Sequence, residues 1–277
     1  MNSACLYIVA TPIGNLSDIS ERAVQILKQV DLIAVEDTRH SGKLLQHSGV
    51  STPMQALHEH NEAKKVEQLI ELLAAGKSIA LISDAGTPLI SDPGYQLVKA
   101  AIDAGIKVSP VPGASALIAA LSASGLPSDA FIFEGFLPNK SAGRLKKLEA
   151  LADESRTLIF YEAPHRIIDC LEDMQQVFGA ERVAVVAREL TKTFETIKKD
   201  SLENLLSWIK ADSNQQRGEF VLLIQGQEKA ATTVNAEAER ILDILLQELP
   251  LKQASQLAAR ITGIKKNTLY QIGLNKK

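Results

Sequence analysis

Short apolar runs rich in Val, Ile and Leu alternate with longer segments of helical period over most of this 277-residue chain, and that alternation admits little besides an α/β fold. Residues 5–10 (CLYIVA), 31–36 (DLIAVE), 78–83 (SIALIS) and a short stretch near Lys107–Ser109 read as strands. Such runs carry no polar alternation, which suits strands buried on both faces of a mostly parallel sheet. Between them, a helix from about Ser20 keeps Ala23, Val24, Ile26 and Leu27 on one side. A second helix, Glu62–Ala75, spaces Val66, Leu69, Ile70 and Leu73 helically and stops before Gly76, where a left-handed residue is favoured. Tyr95–Ala104 is a third, and a small-residue helix follows from about Ala114.

Gly125, Pro127 and Ser128 supply turn chemistry before the pattern restarts with FIFEGF at Phe131. A helix near Leu145–Leu151, the strand TLIFYE, a helix from Pro164, the strand RVAVVA, a short helix Ser201–Lys210 and EFVLLIQG (219–226) complete the second half. Phe194, Thr196 and Lys198 alternate with polar neighbours, which predicts partly antiparallel later strands. From Asn235 onward the pattern is helical only. The expected organisation is an α/β domain over 1–125, a second over 126–230, and a helical tail over 231–277.

Composition narrows the function. With 45% hydrophobic and 23% charged residues the chain is a packed protein, not a disordered one. A net charge of -3 means that any nucleic-acid contact must be local, and 4% aromatic residues argue against a broad sheet of stacking rings. One local basic region exists: from Leu251 the tail holds Lys252, Arg260, Lys265, Lys266, Lys276 and Lys277 and no acid. It reads as helix, turn at Thr262-Gly263, second helix, with Ala254, Leu257, Ala258 and Ile261 on the buried side, a helix-turn-helix pattern. Cys5 and Cys170 have no metal-ligand spacing, so a reducing compartment fits, and no metal is expected. The stretch Ala4–Ala10 is too short for a membrane span and lacks a basic leader, so the expected location is the cytoplasm.

In a doubly wound sheet, ligands bind beyond the carboxyl ends of the strands. Three Gly/Pro loops fall there: TPIGNLSD (11–18), DAGTPLISDPG (84–94) and PVPGAS (110–115). Neither GxGxxG nor a P-loop is present, so chemistry alone does not name the ligand.

Taken in order, IVATPIGNLSDISERAVQIL, LIAVEDTRHSGKLL, HEHNE, LISDAGTPLISDPG, VPGASALIAALSASGLP, FYEAPHRI, ARELTKTFE and RGEFVLLI resemble the ribosomal RNA small subunit methyltransferase I group of the tetrapyrrole methylase superfamily. The resemblance implies two α/β domains with S-adenosylmethionine in the cleft between them and a homodimer. The implied activity is 2′-O-methylation of a cytidine in small-subunit ribosomal RNA, free or in the assembled subunit. It also implies that Pro12, Asp84, Gly86, Thr87, Ser115 and Ala116 line the cofactor cleft, with Tyr161 and Gly218 contributing from the second domain. The first loop, TPIGN, departs from the glycine-rich form of the corrin-methylating relatives.

Methyl transfer to a ribose hydroxyl needs alignment and a route for the hydroxyl proton. Glu36, Asp37 and Arg39 stand beyond a strand end and suit that role, or else a helix N-terminus. His165 and Arg166 open a helix, as proton acceptor and phosphate grip or as a simple helix start. His58 and His60 lack a third metal ligand and suit RNA or an interface better. Arg188, Lys192 and the tail residues Lys252, Arg260, Lys265 and Lys266 are candidate RNA contacts, or solvated charge. Two competing readings remain: a ligand-sensing regulator whose tail reads DNA, and a tetrapyrrole methylase.

Overall fold

The computed structural model describes residues 4–57, 62–227 and 231–274. They fall into two compact units, Met1–Gly226 and Gln227–Lys277.

The first half of the larger unit runs β1 (Cys5–Val9), α1 (Glu21–Gln29), β2 (Leu32–Val35), α2 (Thr38–His47), β3 (Met54–Ala56), α3 (Glu62–Ala74), β4 (Ile79–Ile82), α4 (Tyr95–Asp103), β5 (Lys107–Val111), α5 (Ala116–Ser124). Its five strands form a sheet in the order β3-β2-β4-β1-β5, and every pairing is parallel. Two elements carry no strong sequence pattern: α2 is interrupted by Gly42, and β3 is a three-residue edge strand. Strand alternation sorts the side chains onto two buried faces. Val9, Ile33, Val35, Ala80 and Ile82 meet α1 and α2 on one side. Leu6, Ala34, Ile79 and Leu81 meet α3 and α4 on the other. Neighbouring strands β1 and β4 therefore send their following helices to opposite faces, the switch point at which ligands bind in doubly wound sheets.

The chain then builds a second sheet from β6 (Phe131–Phe136), α6 (Ser141–Glu149), β7 (Thr157–Glu162), α7 (Ile167–Phe178), β8 (Val183–Arg188), β9 (Thr196–Ser201), α8 (Leu202–Ala211) and β10 (Phe220–Ile224). The order is β6-β7-β10-β8-β9, parallel only between β6 and β7 and antiparallel elsewhere, as the polar alternation near Thr196 predicts. Helices α6, α7 and α8 cover one face, around Phe160, Leu171 and Leu205. The opposite face, with Ile159, Val185, Val221 and Leu223, packs on Leu117, Ala120 and Leu121 of α5 and on Ile13. Helix α5, which follows the last strand of the first sheet, thus covers the second sheet. Its run of Ala and Ser lets the sheet approach closely, which explains why it lacks an ordinary amphipathic stripe.

The smaller unit contains α9 (Ala231–Glu248), α10 (Leu251–Thr262) and α11 (Lys266–Leu274) around Leu242, Ala254, Ala258 and Leu269. Here the expected buried side needs correction. Ala254 and Ala258 are buried, but Leu257 and Ile261 are 41% and 59% exposed. Ser255 is buried instead, its hydroxyl donating to the Leu251 carbonyl at 2.7 Å. Small residues along 254, 255 and 258 permit tight helix contact, and that contact outweighs burial of the larger neighbours.

Candidate functional site

The three strand-end loops of the first sheet are tied to one another before any ligand is considered. Thr11 and Gly86 exchange backbone hydrogen bonds at 2.8 and 3.1 Å, joining the loops after β1 and β4. The Thr87 hydroxyl donates to the Ala114 carbonyl at 3.0 Å, joining the loop after β4 to the one after β5. Asp84 accepts the Asp37 amide at 3.2 Å and so draws in the loop after β2.

Between these loops and the second sheet lies a cavity of about 400 Å³, within the roughly 300–1,000 Å³ usual for small-molecule sites. Its walls from the first half include Ile13, Ala85, Gly86, Thr87, Ser91, Asp92, Ser115 and Ala116. From the second come Phe136, Tyr161, Glu162, Ala163, Pro164, Leu190, Glu219, Phe220 and Val221. The loop after β4 reaches the cavity through an unusual backbone: Leu89 and Ser91 have φ of +73° and +67°. Such conformations cost free energy for residues with a Cβ and collect at functional sites. Gly94, φ +122°, closes the loop where a Cβ would sit 2.6 Å from Leu81 Cδ2. On the far wall Glu189 and Thr191, at +50° and +64°, flank Leu190.

Among the described residues the cavity is lined by three acidic residues and no lysine or arginine. Two of the acids are matched from outside: Glu162 pairs with Arg166 at 3.1 Å, and Glu219 with Lys192 at 2.9 Å. Asp92 makes no ion pair among the described residues. Burial pushes its carboxyl above the ordinary value, the Ser83 hydrogen bond opposes this, and the nearby Asp84 charge adds to it. Tyr161 is raised for the same first reason, burial; its hydroxyl accepts the Leu117 amide at 3.2 Å, which opposes the rise, and the Asp92 charge reinforces it. The Tyr161 oxygen thus satisfies one orphan amide at the start of α5, whose own cap residue Ser115 makes no side-chain cap.

Of the residues implied for the cofactor cleft, Gly86, Thr87, Ser115, Ala116 and Tyr161 form cavity wall. Pro12, Asp84 and Gly218 do not; in each case the next residue does, Ile13, Ala85 and Glu219. Asp92 and Phe136 are among the wall residues that sequence reasoning did not single out. Asp92 lies within the quoted loop, eight residues after Asp84, and only the backbone turns decide which acid faces inward.

Glu36, Asp37 and Arg39 do not line the cavity. Asp37 caps α2 by accepting the Arg39 amide, and binds the Arg39 guanidinium at 2.8 Å, which holds its carboxyl at about 2. His165 is exposed, one residue beyond the wall residue Pro164. The Arg166 guanidinium is turned to protein acceptors: Glu162, the Leu137 carbonyl at 2.6 Å, the Pro138 carbonyl and Asn139 Oδ1. Arg188 is buried and donates to Gln215 Oε1 at 3.0 Å, and Lys192 is engaged by Glu189 and Glu219. In the tail Lys252, Arg260 and Lys265 are exposed and Lys266 is half-buried. His58, His60, Lys276 and Lys277 lie outside the described residues. Among the described residues no acid, His or Cys cluster could hold a metal, and no helix is long and apolar enough to cross a membrane.

Comparison with known proteins gives the following. Residues 5–206 match the tetrapyrrole (corrin/porphyrin) methylases, and residues 232–277 match the RsmI C-terminal HTH domain. The ribosomal RNA small subunit methyltransferase I of Pseudomonas aeruginosa is 59% identical, the alignment covering 100% of this chain and 99% of the relative. Among solved structures, a diphthine synthase superposes with TM-score 0.62 at 18% identity, over 80% of this chain and 90% of that one. A uroporphyrin-III C-methyl transferase from Thermus thermophilus complexed with S-adenyl homocysteine superposes with TM-score 0.57 at 16% identity, over 80% and 97%.

Proposed function

The chain belongs to the ribosomal RNA small subunit methyltransferase I group of the tetrapyrrole methylase family, and on that premise we propose that it moves a methyl group from S-adenosylmethionine to the 2′-hydroxyl of a cytidine in small-subunit ribosomal RNA. The observation that carries this reading is the charge of the cavity wall: three acids, no base, and one carboxylate, Asp92, joined to no cation among the described residues. Such a wall suits a small cationic ligand and repels phosphate, so the donor enters the cavity and the RNA stays at its mouth. S-adenosylmethionine, when bound, supplies an activated methyl group on a positively charged sulfur.

The residues then divide the work. Gly86, Thr87, Ser115 and Ala116 cradle the donor with backbone groups of the linked strand-end loops. Ile13, Leu190, Phe220 and Val221 keep water out. Asp92 would take the proton that the ribose hydroxyl releases as its oxygen bonds to the methyl carbon and the carbon–sulfur bond breaks, its electron pair staying on a neutral sulfur; its raised carboxyl is a better proton acceptor than an ordinary aspartate. Tyr161, whose oxygen already accepts the Leu117 amide, has its own proton left to orient a neighbour. Exposed Arg39 and the exposed tail residues Lys252, Arg260 and Lys265 serve RNA at the surface.

The finer parts of the reading are the division of the body at about residue 126, a homodimer, an assembled small subunit as substrate, and a cytoplasmic location. The homodimer and the substrate rest on family likeness, the division on the turn residues Gly125, Pro127 and Ser128, and the location on the two cysteines without metal-ligand spacing and the short apolar stretch at 4–10. A duplex-reading regulator is not favoured, because the helix-turn-helix match itself comes from a methyltransferase tail. The test pairs calorimetry with transfer of labelled methyl to naked ribosomal RNA and to intact small subunits. Donor binding and methyl incorporation at a ribose are expected; donor binding without transfer to either substrate refutes the acceptor, and no donor binding refutes the whole reading.

A further inference from the structure

Phe136 ends β6, an edge strand of the second sheet, and is 54% exposed although it lines the cavity. An aromatic ring left in water at a site lip forgoes a large burial gain, so the devices that hold it there carry information. The first is a bulge. Strand β6 pairs with β7 in register from Phe131↔Thr157 to Phe133↔Ile159, then gains one residue, so that Phe136 faces Tyr161. In a regular strand Phe133 and Phe136 would point to opposite faces. Here both rings meet Tyr161 edge-on, at centroid distances of 4.8 and 5.7 Å. Gly135 makes the turn possible at φ +64°, and a Cβ there would come within 3.2 Å of Ser91 Oγ. The second device is Arg166, which holds the Leu137 carbonyl at 2.6 Å and so fixes the backbone directly after the ring. The row Phe133, Tyr161, Phe136 runs from packed core to open mouth, and Tyr161 at its centre is hydrogen-bonded to α5.

We propose that Phe136 is the platform on which the base of the acceptor nucleotide stacks, so that the attached ribose is presented to the cavity. The proposal rests on the methyl-transfer reading above. No lysine or arginine among the described wall residues receives phosphate, so the RNA backbone stays outside and its target sugar must be swung in, and an unstacked base needs a π-face to replace its lost neighbours. The exposed face of Phe136 is an aromatic surface of the cavity wall available from solvent, since Tyr161 and Phe220 are turned to the interior.

The test uses the full-length enzyme, its RNA substrate and S-adenosylhomocysteine as a calorimetric probe. Loss of one stacked base is expected to lower kcat/KM for RNA in Phe136→Ala by roughly 5- to 150-fold, with S-adenosylhomocysteine affinity unchanged. Phe136→Tyr should restore the rate, and Phe136→Leu, which keeps apolar bulk without a π-face, should not. Wild-type RNA kinetics in Phe136→Ala, equal rescue by Leu and Tyr, or a parallel loss of S-adenosylhomocysteine affinity each overturns the proposal. Failure of the methyl-transfer reading is separate: there the wild-type enzyme itself modifies no RNA.

Discussion

Two loops of the first sheet carry an aspartate to comparable places and give it opposite properties. After β2, Asp37 caps a helix, binds Arg39 at 2.8 Å and has its carboxyl held at about 2. After β4, Asp92 makes no ion pair among the described residues and is raised by burial. Both positions are strand ends of the kind that bear function in doubly wound sheets. What separates them is the second sheet, which roofs one loop and leaves the other in solvent. A strand end becomes a chemical site only where something takes water away from it.

The largest expected effect is catalytic. Asp92→Asn should slow methyl transfer by about 10²–10⁴-fold, while Asp37→Asn, assayed beside it, keeps most of its rate and melts slightly earlier. The reverse ranking would break the comparison. The pH profile sharpens it. A carboxyl raised on folding is proton-poor, and so an active base, only above its elevated value; wild-type kcat/KM should climb with pH through an apparent pKa above 3.8, and Asp92→Asn should lack that limb. Stability follows the opposite course: ionising Asp92 is unfavourable in the folded state, so its contribution weakens as pH rises through that same value.

Backbone substitutions come next in size. Gly94→Ala must accept φ +122° and a Cβ 2.6 Å from Leu81, a cost of about 2–4 kcal/mol by urea unfolding. At the other loop, Gly42 lies inside α2 with nothing nearer than Met54 Cε at 3.8 Å. Gly42→Ala should therefore stabilise the protein, by roughly 0.5–1 kcal/mol. A stabilising outcome of similar size at both positions would show that the loop after β4 carries no special constraint.

Most strands and helices were legible because hydrophobic period is a local property. The loops after β1, β4 and β5 were legible as a set, and their joint use as cavity wall follows from parallel strands ending on one side. The misses share one physical origin. Pro12, Asp84 and Gly218 each stand one residue before a wall residue, at bends whose backbone turns decide which neighbour faces inward and follow no simple period. Phe136 was hidden for a related reason: a one-residue bulge turns it to the face that simple alternation assigns to its neighbour. Leu257 and Ile261 were misplaced because helix contact in the tail favours small side chains over large ones. Pairwise packing of this kind is written in no single segment.

The position of β10 has a consequence for how the enzyme is made. It is the middle strand of its sheet, yet the last of ten to leave the ribosome. Until residues 220–224 emerge, β7 and β8 face a gap one strand wide, and Glu219, Phe220 and Val221 are missing from the site. The nascent chain can complete its first sheet early, but it holds no finished pocket until translation of the body is over.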